Sequence, residues 1–220
     1  LNLETDDLIE LLATRHQPIR RLAPPRNRAL HWLSIALCSV AAVVVLMSPR
    51  DDLAAKLTDT RFLIEEVAAL ATAVAAAFSA FCLIVPGHSR AVALLPTPSL
   101  AIWLGSLGQG CWQAWLNFGD EAWRLSPDWV CLPAIAVVGA IPALTMVVML
   151  RRGAPIAPRL TVILGALAAA ALGNVGLRLF HPQDASLMVL VWQFGSVALL
   201  SLLAGWGGRQ ILAWRHVGSA

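Results

Sequence analysis

Six stretches of this chain run for at least 18 residues without Asp, Glu, Lys or Arg, and they constrain the fold more than any other feature. They are Ala29–Pro49, Val67–Ser89, Ala91–Gly119, Trp129–Leu150, Leu160–Leu177 and Ala185–Gly208. A helix rises about 1.5 Å per residue, so roughly 20 apolar residues cross the roughly 30 Å hydrocarbon layer. The expected fold is an all-α integral membrane protein, a six-transmembrane-helix bundle. Its parts are a polar N-terminal arm (1–28), the six-helix transmembrane domain (29–208) and a short tail (209–220). Segments between spans are too short to hold a core alone. The first apolar run begins only near residue 29, after a basic arm, so it reads as a permanent span rather than a cleaved secretory signal.

Charge sets the expected orientation. Of the 16 basic residues, 11 fall on the side of the N-terminus: Arg15, Arg20, Arg21, Arg26, Arg28, Arg90, Arg151, Arg152, Arg159, Arg209 and Arg215. The acids divide the other way, with Glu4, Asp6, Asp7 and Glu10 inside and nine outside. Lys and Arg collect on the cytoplasmic flanks of membrane proteins, so both termini are expected in the cytoplasm. Trp32, Trp206 and Trp214 then fall near the inner interface, and Trp115, Trp123 and Trp129 near the outer one, as in an aromatic belt. The net charge of +3 is spread over these flanks. Without a basic stripe, direct nucleic-acid binding is not expected.

Helices in lipid associate through close packing of small residues. Gly165, Ala169 and Gly173 repeat at four-residue spacing in the fifth span, and Ala69, Ala73 and Ala77 in the second. Pro133 lies in the first turn of the fourth span, where its missing N–H is harmless, while Pro142 lies mid-span and predicts a kink. The spans place no ionisable side chain at mid-depth; Glu65, Glu66 and Arg178 fall at the outer ends. The amides Gln109, Asn117, Asn174 and Gln193 fit helix-to-helix hydrogen bonds. Transporters usually carry ionisable partners within the membrane. No Gly-rich phosphate loop or catalytic spacing is present, so neither enzyme activity nor a cofactor is expected.

The arm holds one short helix. Thr5 suits an N-cap, Asp6 and Asp7 place negative charge at the positive helix end, and Arg15 and His16 do the reverse. Pro18 stops it. Leu8, Leu11, Leu12 and Arg15 share one face by the three-and-four rule. So short a helix is unstable alone in water. It either lies on the membrane or its own bundle, or it folds on a partner, with Thr5, Asp6, Asp7, Leu8, Leu11 and Leu12 as the contact set. An acidic first turn argues against an anionic lipid surface.

The run Thr5-Asp6-Asp7-Leu8-Ile9, then Pro18-Ile19-Arg20-Arg21-Leu22 and Pro24-Pro25, resembles the opening of the NrsF family, negative regulators of sigma factor F. The likeness continues through Trp129-Val130-Cys131-Leu132, Arg151-Arg152-Gly153-Ala154-Pro155, Pro158, His181, Asp184 and Trp192. It implies a six-span inner-membrane anti-sigma factor whose arm holds an extracytoplasmic-function sigma factor away from RNA polymerase. It also implies stress sensing through two periplasmic-side cysteines, one of them matching Cys131. The other would follow the histidine of the last outer loop, and here His181 is followed by Pro182.

Among the four cysteines, Cys38 and Cys82 read as small buried apolar residues. Cys131, at the outer mouth of the fourth span beside Trp129, faces an oxidising compartment. Cys111 lies about seven residues, roughly 10 Å, below the outer end of the third span. It can pair with Cys131 only if their Cα atoms come within about 7 Å. Cys131 and His181 could also ligate a soft metal, although two ligands alone make an incomplete zinc site. The sensor set is therefore Cys131, Cys111 and His181. A small permease-like transporter and a structural subunit of a larger complex are the other readings. The signal and the oligomeric state stay open.

Overall fold

The computed structural model describes residues 5–14, 22–119, 131–153 and 157–180, with Gly195, Leu199 and Trp206 as single helical positions. Helices account for nearly all of it. They are α1 (Thr5–Thr14), α2 (Pro25–Met47), α3 (Leu53–Lys56), α4 (Thr60–Leu83), a 3-10 turn (Arg90–Leu94), α5 (Thr97–Phe118), α6 (Cys131–Leu150) and α7 (Pro158–Phe180). Four segments are long and apolar enough to cross a membrane: α2, α4, Arg90–Asn117 and α7. Helix α6 has 20 residues, of which Val137–Leu150 form a further apolar stretch. The expected sixth span lies outside the described residues apart from its three helical positions.

Local chemistry explains the helix ends. Pro25 opens α2 and Pro158 opens α7, positions where the missing N–H has no intrahelical partner to lose. The side chain of Asp59 caps α4 by accepting the backbone N–H of Arg61 at 2.9 Å. The third apolar run is not one helix. It opens as the 3-10 turn, breaks at Leu95-Pro96 and continues as α5.

The long helices alternate in direction. The start of α2 meets the end of α6, where Arg28 Nη2 donates to the Met149 carbonyl. The exit of α2 meets the end of α7, where the Arg50 N–H bonds the Leu179 carbonyl at 3.1 Å. Near the end of α4, Ser79 Oγ donates to the Val92 carbonyl at 2.7 Å.

The small-residue faces are where the packing is tightest. Ala69, Ala73 and Ala77 of α4 are buried, as are Gly165, Ala169 and Gly173 of α7, and α4 and α7 form the most extensive helix pair. Helix α7 is also gripped from its other sides. A methyl group on Gly165 would sit 3.0 Å from Met146 Cγ of α6, and one on Gly176 would sit 2.5 Å from Val40 Cγ1 of α2. A side chain at Gly176 would force Val40 or Val138 to shift, and one at Gly165 would press on Met146 and Leu150, so glycine lets these helices approach closely.

Three expectations change. Trp32 is not an interfacial anchor: it is fully buried, and its indole N–H donates to the Pro142 carbonyl at 2.9 Å. Cys38 lies on the outer surface of the bundle, while Cys82 is buried. The amides do not stitch the described helices together. Gln109 and Asn117 are exposed, and Asn174 is buried with neither side-chain atom hydrogen-bonded among the described residues.

Candidate functional site

The bundle has two chemically distinct ends. In residues 22–119, 131–153 and 157–180 every Asp and Glu lies at one end: Asp51, Asp52, Asp59, Glu65 and Glu66. That end also holds the polar feature that sequence reasoning did not assemble. Arg178 of α7 reaches α4, with Nη1 at 2.6 Å from Glu65 Oε2 and Nε at 3.2 Å from Glu66 Oε1. Its guanidinium carbon stands 4.8 Å over the Phe62 ring. Glu65 is held on its other oxygen by Arg61 Nε at 3.0 Å and by Ser106 Oγ of α5 at 3.2 Å.

Glu65 and Arg178 are only 4 and 5% exposed, although Glu65 lies just five residues into α4. The end of the span was the right depth; the missing information was rotation about the helix axis. Glu66 is paired by charge alone, because neither of its buried oxygens has a hydrogen bond among the described residues. The signal that could have found the cluster was opposite charge at matched depth: two glutamates at the start of one span and an arginine at the end of another.

Chemically this is a clamp. It ties α4, α5 and α7 together at one end, and holds no nucleophile or acid–base pair over a cavity. Among the described residues no group of His, Cys, Asp and Glu could hold a metal ion.

Two of the expected sensor residues, Cys111 and Cys131, lie on helices at this same end. Cys111 follows Ser106 by five residues on α5 and is a half-buried free thiol, beside Trp112 and Trp115. Cys131 is the first residue of α6, and its side chain lies outside the described atoms. His181 and Pro182 are also outside them. The structure therefore brings Cys111 to the clamped end and leaves the cysteine pair and the metal site undescribed.

The arm forms the expected helix as α1, closed by a hydrogen bond from Thr14 Oγ1 to the Glu10 carbonyl at 2.7 Å. Thr5 is the first described residue of α1 and stands within the helix. Ile9 is 59% exposed. The side chains of Asp6, Asp7, Leu8, Leu11 and Leu12 are not described.

Residues 12–214 match the family model of NrsF, described as negative regulator of sigma F. The chain belongs to the NrsF family. The match covers most of the sequence, so the likeness read from scattered motifs extends through the helices. It begins at Leu12, which leaves Thr5, Asp6, Asp7, Leu8 and Leu11 ahead of it. No curated protein and no solved structure matches the chain. An NrsF protein regulates a sigma factor negatively, and its partner is that sigma factor.

Proposed function

We propose that this chain is a multi-pass inner-membrane anti-sigma factor with six spans and both termini in the cytoplasm. Its arm, residues 1–28, sequesters an extracytoplasmic-function sigma factor, and an envelope signal such as an oxidant or heavy metal releases it. The observation that carries this reading is family membership over residues 12–214 together with long apolar helices that follow a short helical segment in the arm. Contact with the partner falls to Thr5, Asp6, Asp7, Leu8, Leu11 and Leu12, on a helix that completes its folding on its target. Reversing occupancy from 99:1 bound to 99:1 free needs a shift of about 5.5 kcal/mol between two states of the protein. Pro142 of α6 is the element proposed to move, since its carbonyl is shared with buried Trp32 of α2.

Affinity purification of the detergent-solubilised protein tests this directly. The full chain should bring down a sigma factor in stoichiometric amount, and deletion of residues 1–28 should abolish that recovery. Equal recovery with and without the arm overturns its assignment as the binding element.

Cys131 is the proposed receiver of the signal, with Cys111 and His181 supporting it. A thiol reacts as its thiolate and needs exposure. A membrane-impermeant maleimide should label Cys131 in cells with a permeabilised outer envelope and spare buried Cys82. Labelling only after the inner membrane is opened would reverse the orientation. Cys131→Ser should blunt induction while leaving resting repression intact. Because Pro182 stands where a second thiol is usual in the family, the residual response should depend on Cys111 or His181. A full response in Cys131→Ser removes the thiol sensor.

A further inference from the structure

The end of the bundle opposite the clamp carries Arg26, Arg28, Arg90, Arg151, Arg152 and Arg159, and no acid in the described residues of α2 to α7 and their connections. Between the start of α2 and the end of α6 there is a cavity of about 650 Å³, lined by Leu22, Asn27, Arg28, His31, Met149 and Arg152. Arg28 is the decisive residue. It is 6% exposed, its Nη2 donates to the Met149 carbonyl, and its guanidinium carbon stands 4.8 Å over the Phe81 ring. Neither contact supplies a negative charge. Its Nη1 is buried without a hydrogen-bond partner among the described residues, and Arg28 is one of the residues that line the cavity. Arg152, exposed at the rim, adds a like charge that acts against that of Arg28.

A buried guanidinium without counter-charge is costly, and a group so placed is expected to find an anion. The cavity is large enough for a small ligand. We propose that it binds a phosphate group, with the guanidinium groups of Arg28 and Arg152 as the charged donors and His31 and Asn27 completing the shell. The planar N–H fork of arginine suits phosphate oxygens. Leu22 and Met149 give the cavity an apolar wall next to the charges. That combination fits the headgroup of an anionic phospholipid, as in other basic pockets at cytoplasmic helix ends. Free phosphate presents the same chemistry.

Native mass spectrometry of the full chain in neutral detergent, titrated separately with phosphatidylglycerol, phosphatidylcholine and inorganic phosphate, tests the site and its source. Phosphatidylglycerol should bind in preference to phosphatidylcholine, and Arg152→Gln and Arg28→Gln should each weaken it about tenfold. Arg152-dependent binding of phosphatidylglycerol without inorganic phosphate assigns a lipid headgroup. Arg152-dependent binding of inorganic phosphate assigns a free anion, and both results support the phosphate site. Should Arg28→Gln fail to fold, the exposed residues decide through Arg152→Gln and His31→Gln. Equal binding of the two lipids without inorganic phosphate, or undiminished anion binding in these variants, overturns the proposal.

Discussion

Arg178→Leu should destabilise the bundle by about 3–5 kcal/mol, the cost of removing one partner from a buried ion pair. Arg178 is 5% exposed and contacts both glutamates, whereas Arg61 is held by Glu65 and by the Ser106 carbonyl. Loss of Arg178 leaves Glu66 buried without its partner, so the group must either stay charged in a dry site or take up a proton, and both cost stability. Unfolding of the purified protein in a denaturing detergent titration measures the effect. Adding Glu66→Gln to Arg178→Leu should recover part of the loss, because it removes the carboxylate that the substitution strands. Wild-type stability in Arg178→Leu would mean that the cluster is not a clamp, and that small-residue packing alone holds α4 to α7.

How far this site could be read from sequence follows from what a hydrophobic run encodes. Run length gives depth, and depth was read correctly for Glu65, Glu66 and Arg178, all of which fall near one end of their helices. Spacing gives a face only where residue size differs along the helix. The alanines of α4 and the small residues of α7 therefore announced closely packed faces, and both are buried. Helix α2 carries no such contrast, since apolar residues surround it. Trp32 and Cys38 could be placed in depth but not in rotation. One turned inward to the Pro142 carbonyl, and the other outward to the surface of the bundle.

Pairings between helices distant in sequence are the other part that no periodicity encodes. Arg178 and Glu65 are 113 positions apart and Arg28 and Met149 are 121 apart. Each pair meets because the chain makes four long-helix passes between its members, α4 to α7 in one case and α2, α4, α5 and α6 in the other, and an even number of passes returns it to the same end. The basic cavity was hidden for the same reason. Its arginines were counted as topology signals, and one of them is buried inside the bundle.

Leu8→Ala together with Leu11→Ala should release the partner with the membrane domain intact. The backbone of α1 is helical across both positions, so residues three apart fall on one face. In a helix-in-groove contact a few apolar anchors carry most of the energy, at about 2 kcal/mol or more each, and the pair should weaken binding more than about a hundredfold. Expression of the sigma factor's target genes should then rise without stress, while the variant remains inserted at normal abundance. The family match begins at Leu12, so these two leucines are a sharp test of where affinity resides. Unchanged resting repression would move the binding element out of the front of α1 and into residues 12–28. Derepression would show that the part of the arm ahead of the matched residues is what grips the partner.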